Sequence, residues 1–336
     1  MKKKDILFLK ETLKERKQIA ILIHYNPDGD AIGAALALSE YFTSKKHKVA
    51  IVSPNSFPDF LQWMKGADKI IIATEDSDSA TKKIKTADLI FCVDFNAANR
   101  IGLLENALID ASGIKILIDH HVAPANIFDI YYSVTAVSST SELIYNFLFK
   151  KLDTTACLTK TIAEHLYVGI ITDTNSLRNS CNNYSTYTII GKLVKTGINA
   201  EQIQQKIYNN YSESRMRLLG HCLLNRFHVL YDYATSYIYL TQEDLMRFSY
   251  KQGDTEGFVN FGLTIKNIDF TAFFVERKDR IRVSFRSKNN FDVNEYARKY
   301  FNGGGHKNAA GADSFMSMDE TLEYFISTLK ECKIRK

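Results

Sequence analysis

The sequence is poor in the residues that mark fibrous, linker-rich or extracellular chains. Four prolines and sixteen glycines occur in 336 residues, far below what collagen-like or linker-dominated architectures need. The five cysteines (Cys92, Cys157, Cys181, Cys222, Cys332) are scattered, odd in number and form no C-x-x-C. They indicate no disulfide framework and read as buried or incidental thiols in a reducing compartment. No apolar run approaches the ~18–20 residues of a membrane span. Met1-Lys2-Lys3-Lys4-Asp5 leads into Ile6, Leu9 and Leu13 at helical spacing instead of an uninterrupted apolar stretch. No signal peptide is read, and the expected location is the cytoplasm, away from membranes. Neither sign of charge dominates: 43 basic against 38 acidic residues leave a net +5. That balance suits small anionic ligands and is too weak to argue for duplex DNA. The phosphate-binding pattern G-x-x-x-x-G-K-[ST] is missing, and Gly29 with Gly33 make no G-x-G-x-x-G, so nucleoside-triphosphate and dinucleotide-cofactor readings lack their motifs.

What is present is an ordinary globular composition, 45% hydrophobic and 24% charged, at a length suited to two domains. The first half alternates short apolar runs with helical patterns. Ile19–Ile23, Val49–Val52, Ile70–Ile72, Leu89–Val93 and Ile114–Ile118 read as strands. Continuous apolar runs suit parallel strands covered on both faces, and the helices between them predict a doubly wound, mainly parallel α/β domain. Ser139 and Glu142 have capping-box spacing and start a helix that runs to Leu152; Thr161–Ile171 reads as another. Helical periodicity continues through Ile189, Leu193, Ile203 and Ile207, then a helix spans about 213–227. Tyr237–Leu240, Thr271–Val275 and Ile281–Phe285 are strand-like, with Asp279-Arg280 in a turn. The expected domains are residues 1–186, a helical linker 187–227, and a smaller α+β domain 228–336.

The chemistry concentrates at strand ends. His24-Tyr25-Asn26-Pro27-Asp28-Gly29-Asp30 follows the first strand and precedes a helix, at the edge where open α/β sheets bind ligands. One imidazole and two carboxylates there suit a hard or borderline divalent cation. The same residues also make good turn chemistry, with Asp30 as a helix cap. Asp94 ends a second strand and Asp119-His120-His121 a third, while Asp173 closes a helical run. In a doubly wound sheet these strand ends share one edge, so their side chains can converge. Farther on lies Asn302-Gly303-Gly304-Gly305-His306-Lys307-Asn308-Ala309-Ala310-Gly311, whose Gly303-Gly304-Gly305 reads on its own as a flexible hinge.

Taken in this order, the motifs resemble the DHH phosphoesterase superfamily, named for the triplet found here at Asp119-His120-His121. The 302–311 stretch and Val283–Ser287 resemble the associated C-terminal domain. Phe60-Leu61-Gln62-Trp63-Met64-Lys65-Gly66 is similar to the nanoRNase/pAp-phosphatase branch. The resemblance implies two Mn ions, with Mg or Co as substitutes. His24, Asp28 and Asp94 would hold one, and Asp30, Asp94, His120 and Asp173 the other, with Asp94 shared. His121 would face the substrate and Asp119 would orient the adjacent imidazole. A hydroxide between the ions would attack phosphorus in line, with a proton reaching the leaving group from solvent or His121. Arg178, Arg286, Ser287, Gly303, Gly304, Gly305 and His306 would contact substrate in a cleft between domains. Implied substrates are very short RNA, linear dinucleotides and adenosine 3′,5′-bisphosphate. Other activities of the superfamily stay open: cyclic-dinucleotide hydrolysis, single-strand exonuclease action and exopolyphosphatase. Outside enzymes, a nucleotide-binding sensor is the alternative, and a homodimer is compatible with the sequence. One departure stands out. Asn175 occupies a place where the family pattern has Gly, which puts the pocket near Arg178 in doubt; Asn is among the residues that tolerate left-handed backbone. His47, His165, His221 and His228 read as surface or satisfied interior histidines.

Overall fold

The structure, a computed structural model, describes residues 1–209, 211–332 and 334. The chain divides into two compact units, Met1–Asn210 and Tyr211–Lys336. The first holds α1 (Lys3–Thr12), β1 (Gln18–Leu22), α2 (Gly29–Ser44), β2 (Lys48–Ser53), β3 (Ile71–Ile72), α3 (Ser77–Lys85), β4 (Leu89–Val93), α4 (Glu105–Ile109), β5 (Ile114–Asp119), β6 (Ile130–Ser133), α5 (Thr140–Asn146), α6 (Lys160–Asp173), α7 (Tyr184–Lys195) and α8 (Ala200–Tyr208). Its sheet runs β3-β2-β1-β4-β5-β6, with every adjacent pair parallel. The apolar runs have the expected physical cause. Ile19, Ile21, Phe91, Val93, Ile116 and Ile118 face one core, while Ala20, Leu22, Ile90, Cys92 and Leu117 face the other. Both sides of the central strands are therefore covered, as the doubly wound reading requires.

The strand order reverses between β1 and β4, the position where such sheets open a crevice beyond their carboxyl ends. β6 was not among the expected strands: Ile-Tyr-Tyr-Ser is short and alternates in burial. The helix begun at Thr140 also departs from expectation, since residues 147–152 form a π-helical turn in place of a continued α-helix.

The second unit holds α9 (Glu213–Asn225), β7 (Phe227–Leu230), β8 (Thr235–Leu240), α10 (Gln242–Arg247), β9 (Phe270–Glu276), β10 (Ile281–Ser287), α11 (Val293–Phe301), β11 (Gly304–His306), β12 (Ala309–Ser314) and α12 (Met318–Leu329). Its sheet order is β11-β12-β10-β9-β8-β7. Among the described residues only β8 and β9 pair in parallel, so this is the expected smaller α+β unit. Phe270, Phe274, Phe285 and Phe325 fill one face of the sheet, and Leu218, Ile238, Phe258 and Phe273 the other. The residues expected as a linker divide, with α7 and α8 in the first unit and α9 in the second. Among the described residues no helix is long and apolar enough to cross a membrane, and all five cysteines are free thiols.

The histidines outside the motifs are mostly accommodated. His221 Nε2 meets the Asp244 carboxylate at 2.8 Å, and the His228 ring stacks on Tyr237. His165, inside α6, differs. It is buried, and neither ring nitrogen has a hydrogen-bond partner of good geometry. Burial disfavours its charged form and holds it at about 4, against an ordinary 6.5. The unfolded chain therefore takes up this proton first, and stability is lost as pH falls from 6.5 through 4. The contribution at stake is on the order of 3 kcal/mol. His165→Leu is expected to flatten that part of the stability–pH curve in urea unfolding; an unchanged slope would place the acid sensitivity elsewhere.

Candidate metal centre

The loop after β1 is built by its own side chains. Asp28 caps α2, its Oδ1 accepting from the N–H of Asp30 at 2.9 Å and of Ala31 at 3.1 Å. The cap is thus Asp28 and not Asp30. Asn26 takes a positive φ of 56°, a conformation that Asn adopts more readily than most residues. It is gripped by Asn55, which accepts from Asn26 N at 2.7 Å and donates to Asn26 Oδ1 at 2.9 Å. The loop after β4 ties on through Tyr25 N–H to the Arg100 carbonyl at 2.7 Å. Asp94 itself has φ +64°, a left-handed turn immediately beyond the strand that carries its side chain out of the sheet direction.

These turns deliver the expected groups to one place. His24 Nε2 lies 3.5 Å from Asp94 Oδ2 and 4.0 Å from Asp28 Oδ1. His120 Nε2 lies 3.7 Å from Asp94 Oδ1 and 3.5 Å from Asp173 Oδ2. His24, Asp28 and Asp94 each place one ligand atom within 4.8 Å of the others, and so do Asp30, Asp94 and His120. Asp94 is common to both triads. His121 is held by Asp119: the Nδ1–H donates to Asp119 Oδ1 at 2.6 Å, and the His121 backbone N–H donates to Asp119 Oδ2 at 3.0 Å. Asp119 therefore orients His121.

The charges explain why the site suits cations. Asp30 is buried, and burial together with the charges of Asp94, Asp173 and Asp28 raises its pKa well above the usual carboxylate range. Burial works against Asp94 as well, but its hydrogen bond to His24 and the nearby imidazoles outweigh burial and hold it below that range. Burial lowers His24, yet the bond to Asp94 and the Asp28 charge win and raise it to about 8. His121 is likewise raised, burial being outweighed by Asp119. Clustered carboxylates that must ionise together, with imidazoles interleaved, form a hard donor set that fits one or two divalent cations.

Sequence reasoning missed three supports: Asn55, Arg100 and the segment Ser138–Glu142. The last had a visible signal, five consecutive polar residues before an apolar helix, read only as a cap. The capping box is half realised. Ser139 Oγ accepts from Glu142 N at 3.1 Å, but the Glu142 side chain turns to Ser138 and Thr186.

The other residues expected to meet substrate lie as follows. Arg178 is exposed, just after three successive left-handed residues, Asn175, Ser176 and Leu177. Asn175 does adopt the backbone for which the family pattern uses Gly. In the second unit, Arg286 and His306 both register with Ala309, from β10 and β11 on either side of β12. Residues in register share a sheet face, so the guanidinium and the imidazole occupy one row. The Ser287 hydroxyl donates to the Phe291 carbonyl at 2.6 Å and accepts from Asn308 at 3.0 Å. Gly304–His306 form an edge strand where the bare sequence suggested a hinge. A Cβ on Gly303 would strike the Gly311 carbonyl, and one on Gly305 the Ala309 carbonyl.

A parallel sheet carries acid–imidazole triads at its switch point and is followed by a mixed-sheet unit, an arrangement suited to a metal-dependent hydrolase. The model of the DHH family, N-terminal domain, matches residues 18–170, and that of the DHHA1 domain matches residues 231–333. The chain is 39% identical to a solved exopolyphosphatase-related protein from Bacteroides fragilis, covering 98% of this chain and 96% of that one with a TM-score of 0.93. It is 28% identical, over 92% of its own length and 93% of the relative's, to the bifunctional oligoribonuclease and PAP phosphatase NrnA of Bacillus subtilis (strain 168). A probable NrnA of Streptococcus mutans is also 28% identical, over 90% and 91%. The chain belongs to the DHH family and is a divalent-metal-dependent phosphoesterase.

Proposed function

We propose that this enzyme hydrolyses very short oligoribonucleotides and linear dinucleotides, and removes the 3′-phosphate of adenosine 3′,5′-bisphosphate, with two Mn ions at the triads around Asp94. The observation that carries the reading is the sharing of Asp94 between two sets of ligand atoms; the names of the full-length relatives supply the substrate class. His24, Asp28 and Asp94 hold one cation, and Asp30, Asp94, His120 and Asp173 the other. When bound, the cations lower the pKa of water and neutralise charge developing on phosphorus. The protein's own part is orientation and proton control. Asp119 makes Nδ1 the donating nitrogen of His121, so the ring meets the substrate by Nε2; in the imidazolium form that Asp119 favours, Nε2 gives its proton to the departing alkoxide and the ring is left neutral. In the first unit Arg178, and in the second Arg286 with His306 in the same row, are the side chains we assign to substrate phosphates; the Gly303 and Gly305 N–H groups are taken by the Ala297 carbonyl and Asn294 Oδ1 and shape the backbone there.

The Bacteroides relative's name favours a second reading, hydrolysis of inorganic polyphosphate. A parallel assay in Mn separates the two: adenosine 3′,5′-bisphosphate, the linear dinucleotide pApA, RNA of two to five residues, cyclic dinucleotides, long single-stranded DNA and polyphosphate. Turnover of the first three at least ~10-fold above the rest in kcat/KM, a margin of ~1.4 kcal/mol, is the expected result. A preference for polyphosphate or cyclic dinucleotides would overturn it.

A further inference from the structure

Ser138-Ser139-Thr140-Ser141-Glu142 is a run of five polar residues with no exposed surface. Such a run is costly to bury unless its groups find partners, and the partners here are specific. Thr140 N–H and Ser141 N–H donate to the two oxygens of Asp30, at 2.6 and 2.8 Å. The Thr140 hydroxyl donates to Asp94 Oδ1 at 2.8 Å. Behind them, Glu142 Oε2 accepts from the Ser138 hydroxyl at 2.7 Å and from the Thr186 hydroxyl of α7 at 2.7 Å. A carboxylate outside both triads thus anchors the segment that holds two carboxylates inside them.

We propose that Thr140 is a positioning residue for Asp94, with Glu142 and Thr186 fixing Thr140 in place. The inference rests on Asp94 being the shared metal ligand. The terminal torsion of an Asp is broad and nearly two-fold, so Asp94 does not choose its oxygen directions alone. It must present Oδ2 toward His24 and Oδ1 toward His120 at once. A hydroxyl donating to Oδ1 takes one lone pair and leaves the others in fixed directions. This hydroxyl is not needed to start the helix, because Ser139 supplies the cap. Valine would fill nearly the same volume at position 140 and remove only the donor.

The test compares Thr140→Val and Thr140→Ser in metal-depleted full-length protein, by calorimetric titration with Mn and by steady-state kinetics. Thr140→Val is expected to weaken Mn binding ~10–100-fold and to lower kcat with KM little changed; Thr140→Ser, which keeps the donor, is expected to restore affinity to within ~3-fold of wild type. Thr186→Val, which removes a donor to Glu142 two residues along the same segment, should move affinity in the same direction by less, and it keeps the test alive if the Thr140→Val protein does not fold. Wild-type Mn affinity in Thr140→Val, or equal loss in the Ser variant, would overturn the proposal. So would a loss in Thr186→Val larger than in Thr140→Val. Failure of the underlying metal assignment has a separate signature: Asp94→Asn would then bind Mn as tightly as wild type.

Discussion

Asp94→Asn is expected to lower kcat by about three orders of magnitude or more, equivalent to ~4 kcal/mol of transition-state stabilisation. Among the described residues Asp94 is the carboxylate whose two oxygens approach different imidazoles, Oδ2 at 3.5 Å from His24 and Oδ1 at 3.7 Å from His120. On the proposed ligand assignment, losing its charge weakens both cation positions together, whereas a change at Asp28 or Asp173 touches one. Asparagine is the informative replacement. It keeps an oxygen for the Thr140 hydroxyl and tolerates the left-handed backbone at this position, φ +64°. Alanine would add a backbone cost to the chemical one and blur the result. The accompanying measurement is the thermal shift produced by Mn. A cation that binds only the folded protein stabilises it by RT ln(1 + L/Kd), L being the free cation concentration, so the wild type should gain several degrees at millimolar Mn and the variant far less. Retained turnover, or an undiminished shift, would remove Asp94 from the centre of the site.

How much of this was legible in the sequence follows from what each feature depends on. The central strands of the first sheet, β1, β4 and β5, announce themselves because burial on both faces demands uninterrupted apolar residues, as in Leu89–Val93, where every residue is buried. The ligand residues were legible for a related reason: polar groups placed directly after such runs stand out. β6 escaped because an edge strand of four residues, Ile130–Ser133, alternates in burial and so lacks the continuous run. The β11–β12 hairpin escaped because its glycines have no side chains to pattern; there the requirement is close backbone approach, Gly303 against the Gly311 carbonyl. The supports of the site were the least visible. Asn55 reaches Asn26 across 29 positions of sequence and Thr140 reaches Asp94 across 46, and single small polar residues carry no periodicity to betray such contacts. The buried ring of His165, which finds no well-aligned partner, is a further case. Whether an interior histidine is satisfied depends on tertiary neighbours that local pattern does not encode.

The second large effect is expected at glycine positions between helices, where no ligand atom is touched. α2 carries Asp30 in its first turn, with Asp28 as its cap, and α6 ends on Asp173, so the distance between these two helices sets the separation of three candidate ligands. A Cβ on Gly33 would lie 2.5 Å from the His165 carbonyl oxygen and 3.0 Å from Gly169 N. Both are backbone atoms and cannot swing aside, so the helices must part. One on Gly169 would run into the Ser141 side chain and come within 2.8 Å of Asp30 Oδ1. In Gly33→Ala, overpacking costs ~1–3 kcal/mol, against roughly 1 kcal/mol recovered from better helix propensity. Net destabilisation is therefore modest. The larger consequence is geometric, since displacing reacting groups by about 1 Å costs on the order of a hundredfold in rate. Gly33→Ala is accordingly expected to fold, to lose about two orders of magnitude in kcat, and to bind Mn more weakly. Gly191→Ala supplies the contrast. It lies within α7 with open space where its Cβ would go, and should gain ~0.5–1 kcal/mol with activity unchanged. If the Gly33 variant matched wild type in turnover and Mn affinity, the close approach of α2 and α6 would be packing alone, with no part in setting the carboxylates.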